Sequence, residues 1–139
     1  MPDGMQPVIR VTMMPRDTNA HGTIFGGVIL SYIDQAGAVE ACRHVSQKIV
    51  TVAIKEVVFH APVRVGDLVS LFSNVKRFGR TSITVAVQVY AHRLGSQPQD
   101  VKVTEAELTY VAIDEQGEPT PLRRRDTQSL IPDELRQRS

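Results

Sequence analysis

Cysteine is nearly missing from this chain: Cys42 stands alone in 139 residues. No internal disulfide can form, and a reducing cytoplasm is the expected compartment. Tryptophan is absent and aromatics make up only 5% of the residues, so no stacking platform for a flat ring can be picked out. No apolar run approaches the ~18 residues of a membrane span, and the start, MPDGMQPVIR, lacks the basic-then-apolar order of a secretion signal. A formal net charge of +1 gives no electrostatic reason to expect nucleic acid or a membrane surface as partner. There is no GxSxG nucleophile elbow and no GxxxxGK[ST] phosphate loop. The four histidines, His21, His44, His60 and His92, show no ligand spacing with cysteine or a carboxylate, so no metal site is expected.

What is present suits one domain with one core, since the apolar fraction of 42% and charged fraction of 22% are ordinary. Its centre is the stretch Asn19 to Val45, NAHGTIFGGVILSYIDQAGAVEACRHV. A turn-like segment ends in Gly26-Gly27, and a helix is expected from Gly26 to about His44. That helix is apolar on every side, and such a helix is expected to be buried all round. Cys42 reads accordingly as a small buried hydrophobe. Two carboxylates interrupt the stretch, Asp34 and Glu40. Glu40 reads as a solvated or paired charge near the helix end, and His21 as a turn residue.

Around the helix the period is 2, not 3.6. Pro7–Met14 is expected to be a first strand, Lys48–Pro62 a long β-rich run, and Leu68–Phe78 a third strand. Thr81–Ala91 alternates most cleanly, with Ile83, Val85, Val87, Val89 and Ala91 on one face. Leu94–Lys102 reads as a loop and Val103–Asp114 as the last strand. Consecutive strands with short links are expected to pair antiparallel, in a sheet curved around the helix. The Arg-rich end from Leu122 reads as a mobile or surface-lying tail.

Gly26-Gly27 at a helix start leaves amides free to hold a negative oxygen and lets a carbonyl approach closely, an oxyanion hole in outline. The same two glycines could serve only tight helix-to-sheet packing. Asp34 could be a catalytic carboxylate or a buried structural one. Seven residues separate Gly27 from Asp34, about 10 Å along a helix at ~1.5 Å per residue. If both act on one bond, the second must come from another chain, as in a symmetric dimer.

The segments DTNAHGTIFGG, IDQAGA, VTVAIKEVVFHAPVRVGD and FGRTSI, in this order and spacing, resemble the hot-dog-fold acyl-CoA thioesterases of the YciA-like and cytosolic acyl-CoA hydrolase group. The resemblance spans roughly Ile9 to Glu115. It implies an α+β fold in which a long helix is wrapped by a curved antiparallel sheet, paired as a double hot dog in a homodimer and assembled further into a trimer of dimers. Residues 1–121 are then one hot-dog domain and 122–139 a basic tail. The implied activity is hydrolysis of acyl-CoA to free acid and CoA with no separate cofactor, because coenzyme A is part of the substrate. By position, Asp34 matches the catalytic carboxylate and Gly26-Gly27 the oxyanion-side glycines. Val50, Thr51 and the turn Gly79-Arg80-Thr81 fall where relatives contact coenzyme A, and a guanidinium at Arg80 suits phosphate. Thr23 departs from the Asn or Asp often found there, and Asn19 is the nearby candidate for a polar role. Two other readings share the scaffold: a dehydratase or hydratase of 3-hydroxyacyl thioesters, which would pair a histidine with a carboxylate, and a non-catalytic acyl-CoA sensor.

Overall fold

A computed structural model describes residues 1–2, 4–55 and 57–125. In it, strand β1 (Ile9–Thr12) leads through a short turn of 3-10 helix, Pro15–Asp17, and a loop into helix α1 (Gly26–His44). Strands β2 (Lys48–Lys55), β3 (Leu68–Phe78), β4 (Ser82–Arg93) and β5 (Gln99–Ile113) follow. All pair antiparallel in one sheet of order β1-β3-β4-β5-β2. The α+β arrangement expected of the chain, one helix against one antiparallel sheet, is therefore present.

The alternation of β4 sets the core. Ile83, Val85, Val87, Val89 and Ala91 are fully buried on its helix-facing side. Leu71, Val103, Leu108 and Tyr110 of the neighbouring strands extend that surface. Against it α1 lays Ile29, Ile33, Ala36, Gly37, Glu40 and Ala41, spaced by three, four and single steps along one stripe. Fully burying a side chain such as Ile33 contributes about 1.5–3 kcal/mol.

Four expectations need correction. The helix is not buried all round: five strands curl over one side only, and Ser31, Gln35, Val39 and Cys42 form an exposed stripe, with Val39 44% accessible. Cys42 is consequently exposed, not a core residue. The β-rich run after α1 leaves the ladder at Lys55, because its later residues bind elsewhere. His60 donates its amide to the Val103 carbonyl (2.7 Å), and the Val63 carbonyl accepts from Ile24 (2.8 Å). That crossing segment carries the chain over the start of α1, so β2 pairs with β5 and not with β3. Finally, β5 begins at Gln99, which shortens the loop expected over Leu94–Lys102. Of the tail, residues 122–125 lie across the end of α1. Leu122 donates its amide to the Arg80 carbonyl (2.9 Å) and Arg125 to that of His44 (2.7 Å), and the Arg124 guanidinium stacks over Phe78. The rest of the expected tail, 126–139, lies outside the described residues.

Candidate active site

Asp34 sits two turns into α1, on the border between its buried and exposed stripes. Pairing of β2 with β5 sets Thr51 directly opposite Tyr110 on the surface facing the helix. Both hydroxyls reach the same carboxylate oxygen: Thr51 Oγ1 donates to Asp34 Oδ1 at 2.8 Å, and Tyr110 O–H lies 3.2 Å from it. The Tyr110 hydroxyl also donates to the Asp34 backbone carbonyl at 2.8 Å. Oδ2 has no hydrogen-bond partner among the described residues. Burial, and next the neighbouring Asp34 charge, push the Tyr110 phenol far above its usual range, so it stays a protonated donor. Room for that phenol exists only because residue 37 is glycine: a Cβ there would overlap the Tyr110 oxygen.

At the N-terminus of α1 the N-cap is Phe25, whose side chain caps no amide, and no acidic residue lies in the first turn. Gly26 and Gly27 therefore present amides with no partner among the described residues at the positive end of the dipole. Gly26 opens onto a cavity of about 360 Å³ lined by Ile24, Ile29, Phe59, Pro62 and Val63, largely the crossing segment. The loop ahead of it is tied by Asn19. Its Oδ1 accepts from the amides of His21 (2.8 Å) and Thr23 (3.2 Å), and its Nδ2 donates to Thr23 Oγ1 (2.9 Å). Asn19 and Thr23 thus satisfy one another, and His21 is an exposed turn residue as expected. Glu40 is paired rather than solvated, accepting from Arg43 (3.3 Å) and contacting His44 (3.1 Å).

The coenzyme-side candidates meet at one end of the sheet. Val50 of β2 and Ser82 of β4 both stand opposite Val111 of β5, so Val50-Thr51 and the Gly79-Arg80-Thr81 turn lie two strand spacings apart, about 10 Å. The turn is pinned where Thr81 accepts from the Ala112 amide (2.9 Å) and Gly79 donates to the Ser82 carbonyl (2.7 Å), leaving the Arg80 side chain exposed. Within the chain, α1 holds Asp34 and Gly26-Gly27 about 10 Å apart, as its rise requires. The contact of Tyr110 with Asp34 is not announced by the sequence, where Tyr110 falls simply within the last strand, Val103–Asp114. The available signal was that a buried tyrosine hydroxyl needs a partner. Among the described residues no histidine hydrogen-bonds Asp34, and no three His, Cys, Asp or Glu side chains cluster as metal ligands would.

A long helix packed on a curled five-stranded antiparallel sheet defines a hot-dog protein. The sequence model of the Thioesterase superfamily matches residues 21–96. The acyl-CoA thioester hydrolase YciA of Salmonella typhimurium is 41% identical over 117 residues, covering 83% of this chain and 88% of the relative. Among solved structures, the hexameric hotdog fold thioesterase of Campylobacter jejuni is 41% identical with a TM-score of 0.82, covering 88% of this chain and 93% of that one. A hexameric thioesterase of Yersinia pestis is 37% identical with a TM-score of 0.80, covering 88% and 98%. This chain belongs to the Thioesterase superfamily.

Proposed function

We propose that the chain hydrolyses acyl-CoA thioesters to the free acid and CoA, with Asp34 as the catalytic carboxylate. The observation that carries this is the Asp34 carboxylate itself, fixed through Oδ1 with Oδ2 open, in a chain of this superfamily. The thioester carbonyl sits at the free amides of Gly26 and Gly27, which stabilise the oxyanion as the carbonyl carbon becomes tetrahedral. The partner's Asp34 supplies the second half of the site, since the two groups of one helix are too far apart. It acts in one of two ways. As general base it takes a proton from water, the hydroxide adds to the carbonyl carbon, and the C–S bond breaks to release CoA thiolate, which is then protonated. As nucleophile it adds to the carbonyl carbon, expels the thiolate, and leaves a mixed anhydride that water cleaves to acid and regenerated carboxylate. Neither route calls for a separate cofactor, and coenzyme A enters as part of the substrate.

The coenzyme lies along Val50-Thr51, with its phosphates toward Arg80. Their shared end of the sheet supports this. The dimer forms through β2, an edge strand that leaves Val50, Val52 and Ile54 exposed. An apolar open edge of this kind is a template for pairing. The hexameric relatives of Campylobacter jejuni and Yersinia pestis support a further assembly of such dimers as a trimer. The single cysteine supports a cytoplasmic setting.

The test is thiol release across a panel of short to long acyl-CoAs, with calorimetric CoA binding alongside. Release on at least one chain length, reduced by orders of magnitude in Asp34→Asn with CoA affinity kept, supports the assignment. Binding without release on every chain length would make the protein a sensor. Near-normal release by Asp34→Asn would remove Asp34 from the mechanism.

A further inference from the structure

Thr51 and Tyr110 are cross-strand partners, and both hydroxyls converge on one oxygen of Asp34 from the sheet side. A carboxylate's terminal torsion is broad, so an aspartate held at one point samples many orientations. Here Thr51 holds the side chain at 2.8 Å, and the single Tyr110 proton, shared between Oδ1 (3.2 Å) and the Asp34 backbone carbonyl (2.8 Å), adds a second, weaker tie while fixing the helix against β5 at that residue. The tyrosine ring is 1% accessible and cannot swing away, and the glycine at 37 lets its oxygen sit against the helix. Among the described residues nothing comparable holds Oδ2.

We infer that Thr51 and Tyr110 are positioning residues for catalysis: they clamp Oδ1 of Asp34 and so assign Oδ2 as the oxygen that meets the acyl carbonyl or its attacking water. The inference rests on the reading of Asp34 as the catalytic carboxylate. It gives Thr51 a task distinct from coenzyme contact, and it gives Tyr110 and Gly37 tasks that neither residue type announces. Removing either hydroxyl leaves the carboxylate in place but less firmly oriented, so the loss falls on turnover and not on substrate binding. A misplacement of about 1 Å costs up to roughly a hundredfold in rate.

Steady-state thiol release from butyryl-CoA tests this, on wild type, Tyr110→Phe, Thr51→Val, Thr51→Ser, Gly37→Ala and Asp34→Asn, with CoA affinity and melting temperature measured for each. Expected are falls in kcat of roughly tenfold to a hundredfold for Tyr110→Phe and Thr51→Val with KM little changed. Thr51→Ser, which keeps the hydroxyl, recovers most of the rate. A variant combining Tyr110→Phe with Thr51→Val loses less than the product of the singles, because both hydroxyls act on one oxygen. Gly37→Ala keeps the phenol but displaces it, and gives the same kcat loss should Tyr110→Phe fail to fold. Full kcat in the single variants beside an inactive Asp34→Asn overturns the clamp and leaves the catalytic reading standing. A loss confined to KM and CoA affinity also overturns it, and leaves Thr51 as a coenzyme contact alone. An active Asp34→Asn ends both.

Discussion

The Tyr110 hydroxyl occupies the space that a side chain at Gly37 would fill, so the closest approach of α1 to β5 is set by a missing methyl group and a phenolic oxygen. Gly37→Ala separates two effects. Alanine in a helix interior is favoured over glycine by roughly 0.5–1 kcal/mol. Forcing an extra carbon into a packed contact costs typically about 1–3 kcal/mol. Packing wins here because the neighbour is a buried, hydrogen-bonded ring. Denaturant unfolding is expected to show net destabilisation, and a more stable Gly37→Ala protein would show that the contact is slack.

Tyr110 also links stability to alkaline pH. Its phenol is held well above the ordinary value of 10.0, burial being the main cause. The folded state therefore keeps a proton that the unfolded chain releases as pH rises past that value. The stabilisation is complete below pH 10.0 and is lost progressively above it, by about 1.4 kcal/mol per pH unit once the unfolded phenol is ionised. Unfolding curves of wild type and Tyr110→Phe are expected to run parallel at neutral pH. They diverge above 10, with wild type falling faster. Parallel curves throughout would mean that the phenol titrates normally.

The amide of Gly26, proposed above as an oxyanion donor, can be deleted without disturbing the helix. Proline is favoured at the first helical position, Phe25 before it already holds the extended conformation that proline demands (ψ 130°), and a Cβ at Gly26 meets only Phe59 at 3.8 Å. Gly26→Pro is expected to fold with wild-type stability and to lose about a hundredfold to a thousandfold in kcat, the effect of removing one such donor. Circular dichroism together with thiol release checks it. Unchanged kcat in a folded Gly26→Pro would leave these glycines with packing alone.

Edge-strand pairing predicts an assembly defect. Val52 is 56% accessible at the bulge of β2. Val52→Lys places a charge on that edge, the device by which edges are kept from pairing. Sedimentation is expected to show smaller species, and activity is expected to fall with them because the proposed site draws on two chains. An intact oligomer, or a fully active monomer, would contradict the β2-mediated dimer.

Local pattern carried the helix and most strands. The bounds Gly26–His44 and Leu68–Phe78 are those that periodicity predicts, because each is decided by nearby apolar spacing. The failures lie where distant partners decide. Val57 to Pro62 is as β-rich as a strand, yet its polar groups are claimed by Val103 and Thr104 of β5 and by the Arg93 side chain of β4, so it passes over the start of α1 instead of extending β2. The apolar neighbours of Cys42 say nothing about which way that face of the helix turns. Asp34 was legible as an anomaly, a carboxylate in an apolar helix. Its partners were not, since Thr51 lies 17 residues away and Tyr110 76. Only the β2–β5 register brings them together.

The central claim, that one site is built from two chains, is tested most directly by mixing two inactive variants. Asp34→Asn keeps the helix-terminal amides and Gly26→Pro keeps the carboxylate, and each alone should release thiol very slowly. In randomly reassociated dimers half the dimers are mixed, and each mixed dimer contains one fully intact site, so about a quarter of wild-type activity should return. Activity that stays at the average of the two parents would show that the carbonyl and its carboxylate come from the same chain, and would contradict the account.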